Sequence, residues 1–168
     1  MARTLFRRQS VASSHACALS GREGNIFVSD ILAQKGGLVF SVSPGTTVAQ
    51  VAQQLSTRRI GSVLVIDKGD AVIGIVSERD LVRALSSHGP KALELEVSEV
   101  MTRDVTTCDP DDSIEHVMQV MTRGRFRHLP VVRRGELLGL VSIGDVVKAR
   151  LEEAQHETEA LKAYIVAG

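Results

Sequence analysis

"GIVSERDLV", Gly74–Val82, and "GLVSIGDVV", Gly139–Val147, decide how this chain folds. Gly, Val, Ser, Asp and Val recur in step, with Gly74 and Gly139, Ser77 and Ser142, and Asp80 and Asp145 each 65 residues apart. Each copy is an apolar, β-branched run that ends in Ser-x-x-Asp and then takes up helical periodicity. The chain has been built from a duplicated unit.

Working outward, "SVSPGTTVAQVAQQL" aligns with "TCDPDDSIEHVMQVM" at a shift of 66 residues. Val48, Val51, Ala52 and Leu55 match Ile114, Val117, Met118 and Met121, each set spaced i, i+3, i+4, i+7, which makes one apolar helical stripe. Pro44 and Pro110 precede these helices, with Thr46 or Thr47 and Asp112 as expected N-caps. "IGSVLVID" and "FRHLPVVR" predict buried strands, "KGD" and "RGE" hairpin turns, and "AVIGIVS" and "LLGLVS" the returning strands. Each copy therefore predicts strand, helix, strand, strand, helix, an α/β unit. A unit this small buries too little surface alone, so the copies are expected to pack on each other about a pseudo-two-fold axis.

The expected division is an N-terminal extension over 1–27, a first repeat over 28–88, a linker over 89–96, a second repeat over 97–150 and a C-terminal amphipathic helix over 151–168. The first 24 residues are rich in Arg and Ser and carry no acid before Glu23. A disordered tail, an early start codon and a mitochondrial transit peptide all fit that composition. In the final segment Leu151, Ala154, Thr158, Leu161 and Ile165 form a stripe, suited either to its own domain or to a dimer contact.

Composition limits function. With 43% apolar residues the 168-residue chain can bury a core. Twenty basic and twenty acidic residues cancel, and only 3% are aromatic, which disfavours a nucleic-acid binder. Cys17 and Cys108 match no metal or disulfide spacing, and no run reaches the length of a membrane span, so a cytoplasmic protein is expected. No phosphate loop of the Walker type, nucleophile elbow or metal-ligand spacing points to an enzyme.

Ser77 with Asp80, and Ser142 with Asp145, admit two readings. A Ser that closes a strand and an acid three residues on make a capping box. The same helix start presents N–H groups to a phosphate, while a carboxylate can accept ribose hydroxyls. The surrounding residues favour the second use. Arg83 and Lys148 follow the acids by one turn, Arg79 stands between Ser77 and Asp80, and "RGRFRHLP" gathers Arg123, Arg125, Arg127 and His128 at a strand start.

These features together resemble a CBS-domain pair, the family named after cystathionine β-synthase. The resemblance rests on the doubled strand–Ser-x-x-Asp, on "VSPGTTV" and "CDPDDSI", and on "RHLPVV", and it covers roughly residues 28–150. "RFRHLPVV" and "SIGDVVKAR" are most similar to small bacterial proteins consisting of the pair alone. The resemblance implies an adenosine-type ligand, AMP foremost, with ATP, ADP, NADH or S-adenosylmethionine as alternatives, and a regulatory role exerted on an unknown protein target or on the module's own assembly, expected to be a homodimer. It places Asp80 and Asp145 on ribose hydroxyls. Ser77, Ser142, Arg125, Arg127, His128, Lys148, Arg79 and Arg83 fall to phosphates. Ser41, Val42, Ile60, Thr107, Phe126, Ile73 and Leu138 fall to the base. The first copy departs from the pattern, having Gly61 and Ser62 where the second has Arg127 and His128.

Overall fold

The computed structural model describes residues 26–69 and 71–167, with backbone alone for residues 156, 157, 159–161 and 163–167. In chain order the elements are helix α1 (Val28–Lys35), strand β1 (Ser41–Val42), helix α2 (Val48–Arg58), strands β2 (Ser62–Ile66) and β3 (Val72–Ser77), and helix α3 (Glu78–His88). A 3₁₀ helix (Gly89–Glu94) and the short α4 (Val97–Val100) follow. Then come α5 (Ile114–Gly124), strands β4 (His128–Arg133) and β5 (Glu136–Ser142), and a long α6 (Ile143–Ala167).

The chain divides into two compact units, Leu38–Thr106 and the described residues 26–37 with 107–167. In the first, β1 pairs parallel with β2, and β2 antiparallel with β3. In the second, β4 and β5 form the hairpin, and the counterpart of β1 shrinks to one parallel bridge between Cys108 and Val131. The cores are the predicted stripes: Val48, Val51 and Leu55 lie against Val63, Val65 and Val76 in one, and Ile114, Val117 and Met121 against Leu129, Val131 and Val141 in the other.

Local chemistry explains the ends of these elements. Thr47 caps α2 through a reciprocal pair with Gln50: the Gln50 N–H donates to Thr47 Oγ1, and Thr47 N–H to Gln50 Oε1. The α5 cap is Ser113, one residue past the expected Asp112; the Ser113 hydroxyl accepts His116 N–H at 3.2 Å, while the Asp112 carboxylate accepts Asp109 N–H. Arg59 and Arg125 end the two helices in the left-handed conformation at φ 54°. Arg134 and Gly135, both at positive φ, make the two-residue turn of the second hairpin. The longer first turn is held by Asp67, whose carboxylate accepts the N–H groups of Gly69 and Ala71.

The lead-in segments pack across the boundaries expected at 28–88, 89–96 and 97–150. The segment 26–37, expected to open the first repeat, packs with the second: Val28 N–H donates to Asp112, Ser29 N–H to Pro110, and Ile114 N–H to Ile26. In the first unit the linker region makes the same three bonds, from Val97 N–H to Thr46, Ser98 N–H to Pro44, and Val48 N–H to Leu95. Each lead-in also covers a strand glycine. A Cβ on Gly74 would meet Met101 Sδ at 2.5 Å, and one on Gly139 would meet Leu32 at 2.7 Å. Neither segment is a tether, since Val28, Ala92 and Val97 are fully buried. Of the extension expected over 1–27, residues 1–25 lie outside the described residues, while Phe27 bridges to Ser113 and Ile26 donates to Glu153.

The C-terminal segment 151–168 is no separate element, because α6 runs unbroken from Ile143. Of its expected stripe, Leu151, Ala154 and Thr158 are exposed, and the side chains of Leu161 and Ile165 lie outside the described residues. No helix among the described residues is long and apolar enough to cross a membrane.

Leu32 fills the space over Gly139 from outside the duplicated unit. Leu32→Ala should therefore destabilise the protein by about 2–4 kcal/mol, as buried Leu truncations do, lowering the urea midpoint; an unchanged midpoint would show α1 to be dispensable to the second unit.

Candidate functional site

Both Ser-x-x-Asp motifs sit where a returning strand turns into a helix, and the first helical amides must find acceptors there. In the second unit Ser142 ends β5, and its N–H and hydroxyl both donate to Asp145 Oδ2, at 2.7 and 2.8 Å. Asp145 N–H returns a bond to Ser142 Oγ, and Ile143 N–H donates to the Arg127 carbonyl at 2.8 Å. Ser142 faces His128 across the hairpin. The junction thus gathers Arg127, His128, Ser142 and Asp145 from three elements.

The first unit repeats the arrangement. Ser77 N–H and hydroxyl donate to Asp80 Oδ2 at 2.8 and 2.6 Å, and Glu78 N–H donates to the Gly61 carbonyl. Here Ser62 stands opposite Ser77, and its hydroxyl is buried with no hydrogen-bond partner. The capping box is therefore real in both copies. It uses one carboxylate oxygen of each acid, so it does not exhaust either one.

The cations around the two acids differ. Arg83, on the helix that Asp80 begins, approaches Asp80 Oδ1 at 3.7 Å. Asp145 is met from α1 instead: Lys35 Nζ donates to Oδ2 at 2.5 Å, with both side chains about a third exposed or less. No local sequence pattern marks Lys35, because its partner lies 110 residues away. Burial raises the Asp145 carboxyl's pKa, but the Lys35 bond and the two Ser142 bonds outweigh it and hold the group below the usual carboxylate range.

The expected phosphate ligands scatter. Arg127 is exposed and His128 half-buried beside Ser142. Lys148 turns along α6 toward Glu152 at 3.7 Å, not toward Asp145. Arg125 serves the backbone as the left-handed residue that ends α5, and its side chain is exposed, as is that of Arg79 at the start of α3. Arg58, close in sequence to the Gly61 and Ser62 of the first copy, lies over the Phe40 ring at 4.6 Å, and Arg59 caps α2.

Among the base-binding candidates, Val42 is buried, Ser41 half-buried, and Ile60 and Ile73 fringe the first core. Phe126 and Leu138 fringe the second core, and Thr107 is exposed. Phe126 lies where a Cβ on Gly124 would be, 2.1 Å from its ring, so the glycine admits the aromatic. Cys108 is buried, and burial, followed by the charges of Asp112 and Asp109, pushes its thiol up to about 12, which makes it inert. No cluster among the described residues has the groups for a metal ion.

The lowered Asp145 carboxyl links the Lys35 contact to stability. A carboxylate held below its unfolded value near 3.9 stabilises the fold above that pH and ceases to do so as pH falls through the lowered value. Lys35→Met should cost a few tenths to about 1 kcal/mol near neutrality, as a partly exposed pair does. Melting temperatures of parent and variant should converge in acid; a gap that persists there would assign the effect to packing of the lysine stem.

Comparison with known proteins agrees with this geometry. The model of the CBS domain matches twice, at residues 38–87 and 97–152. A CBS domain-containing protein of Arabidopsis thaliana, CBSX3, mitochondrial, is 32% identical over 149 residues, 84% of this chain and 72% of the relative. The crystal structure of the CBS-domain containing protein ATU1752 from Agrobacterium tumefaciens superposes with a TM-score of 0.75 at 42% identity, covering 79% of this chain and 98% of that one. The structure of CBSX2 in complex with AMP matches with a TM-score of 0.62 at 27% identity, over 75% of this chain and 96% of that one. Two matches of the family model, which together span more than half of the chain and each contain one Ser-x-x-Asp junction, establish that the chain belongs to the CBS-domain family.

Proposed function

We propose that this protein is a regulatory module that binds an adenine nucleotide, AMP foremost, and passes the bound state to a partner protein or to its own assembly. The observation that carries this reading is the doubled junction, in which a fixed carboxylate keeps one oxygen outside the capping box beside a helix start. A carboxylate so held can accept the two hydroxyls of a ribose. A relative that covers most of the same fold was crystallised with AMP, which supports the choice of ligand. In this reading Asp80 and Asp145 take ribose, Ser77, Ser142, Arg127 and His128 face phosphate, and Ile60, Ile73, Phe126 and Leu138 wall the base, with ATP, ADP or NADH as alternative ligands. The second copy should dominate phosphate recognition, because Arg127 offers a planar fork that Gly61 cannot replace. The module is not an enzyme in this reading, and it works in a reducing cytoplasm, where a buried, inert Cys108 thiol is at home.

Titration calorimetry with AMP and adenosine tests the site. Asp145→Ala should weaken both ligands about tenfold or more, the value of a charge-assisted hydrogen bond. Arg127→Ala should weaken AMP and spare adenosine. AMP binding unchanged in both Asp80→Ala and Asp145→Ala would reduce the motifs to helix caps and leave a ligand-free interaction module. A steep salt dependence of RNA binding would favour a nucleic-acid binder instead.

The assembly is proposed to be a homodimer. Val82 and Leu85 on α3, and Val147 and Leu151 on α6, are exposed apolar residues, and Val82 and Val147 hold equivalent positions in the two copies. Paired apolar helix faces are what a symmetric contact would cover. Light scattering should give twice the chain mass at micromolar concentration. A monomer with and without AMP would overturn the dimer.

A further inference from the structure

We propose that Lys35 is a positioning residue for ligand binding at the second copy, fixing Asp145 so that its Oδ1 is presented to a ribose. The inference rests on the reading that Asp145 accepts ribose hydroxyls, and it adds a residue from outside the CBS-family match, which begins at residue 38.

The geometry carries it. Three donors converge on one oxygen of Asp145: Ser142 N–H, the Ser142 hydroxyl and Lys35 Nζ all reach Oδ2. The cation sits on the capping oxygen, so it neither occupies nor must vacate Oδ1 when a ligand arrives. The first copy does the reverse, since Arg83 approaches Asp80 on Oδ1, the oxygen that capping leaves over. A diol on Asp80 would meet a guanidinium 3.7 Å from that oxygen. A diol on Asp145 would not.

Lys35 is well held for this task. It ends α1, whose residues Val28, Ile31 and Leu32 are buried in the second core, and Leu32 packs over Gly139, three residues before Ser142. The ammonium therefore stands on a packed helix while its stem remains partly exposed. Because α1 precedes the first repeat in sequence, a residue ahead of one copy completes the carboxylate site of the other. The predicted consequence is that ribose recognition is tighter at Asp145 than at Asp80, apart from any difference in phosphate contacts.

Calorimetry on the full chain tests this with adenosine and 2′,3′-dideoxyadenosine, ligands that differ only in the ribose hydroxyls. Lys35→Met should weaken adenosine about three- to tenfold, the range set by exposed pairs and charge-assisted bonds, and leave the dideoxy compound unchanged. Lys35→Arg should restore most of the loss. In a double-mutant cycle, Lys35→Met should add nothing to Asp145→Asn. Equal losses for both ligands would make Lys35 a general fold contact and overturn the proposal, and tighter adenosine binding by Lys35→Met would make it a competitor and do the same. Adenosine binding that needs Asp145 but ignores Lys35→Met would overturn this inference alone. Adenosine binding indifferent to Asp145→Asn would overturn the ribose reading itself, and the role of Lys35 with it. Circular dichroism of each variant separates loss of binding from loss of fold; if the Met variant unfolds, Lys35→Gln carries the same comparison.

Discussion

The rest of the structure depends on how a strand is joined to the helix that follows it. A helix start leaves amide donors that need acceptors, and here an acid in the first turn reaches back to the last strand residue. Its oxygen takes both the N–H and the hydroxyl of one serine, which fixes the direction of the helix relative to the hairpin. A second tie comes from the preceding strand, whose lead-in carbonyl, from Gly61 or Arg127, accepts the first helical N–H. Two strands and a helix are thereby locked at one corner. The carboxylate held there for structural reasons keeps a second oxygen outside the cap, so in the proposed function fold and ligand would use opposite oxygens of one side chain.

That dual use explains what the sequence could and could not reveal. The order strand, helix, strand, strand, helix was legible because it follows from local periodicity and turn chemistry, and the stripe from Val48 to Leu55 became the buried face of α2. The cap of α5 moved one residue, from Asp112 to Ser113, because Asp112 was drawn back to the N–H of Asp109. Such competition between adjacent polar side chains turns on a single hydrogen bond. The packing partners of the lead-in segments were not legible for a different reason. Residues 26–37 and 95–106 bury apolar groups and satisfy backbone donors across long sequence separations, and no local pattern encodes the partner.

Around the candidate site, the bonding of the acids was legible and the placement of the bases less so. Ser77, Asp80, Ser142 and Asp145 were findable because duplication marks them, and both pairs form the same bonds. Long cationic side chains gave poorer signals. Lys148 is drawn along its helix by Glu152, Arg58 by the ring of Phe40, and Arg125 is required by the backbone to end a helix. Each lay near the motif in sequence, but flexible stems find the nearest favourable partner. Lys35 shows the converse, since it is remote in sequence and bonded directly to the central carboxylate.

The two copies differ at positions that flank the corner they share. Where the second copy has His128 opposite Ser142, the first has Ser62 opposite Ser77, and that hydroxyl is buried without a partner. An unsatisfied buried hydroxyl costs free energy, and natural folds keep few of them. The first copy thus tolerates a small polar group where the second places a half-buried imidazole, and it lacks the arginine beside it. Its own cation, Arg83, comes from the helix that the acid begins, whereas the second copy recruits Lys35 from a segment ahead of the whole repeat. The corner itself is the same in both copies, each with both serine bonds to its acid. What differs is the cation brought to each acid and the oxygen it meets: Arg83 approaches Oδ1 of Asp80, which capping leaves over, whereas Lys35 joins the two serine donors on Oδ2 of Asp145.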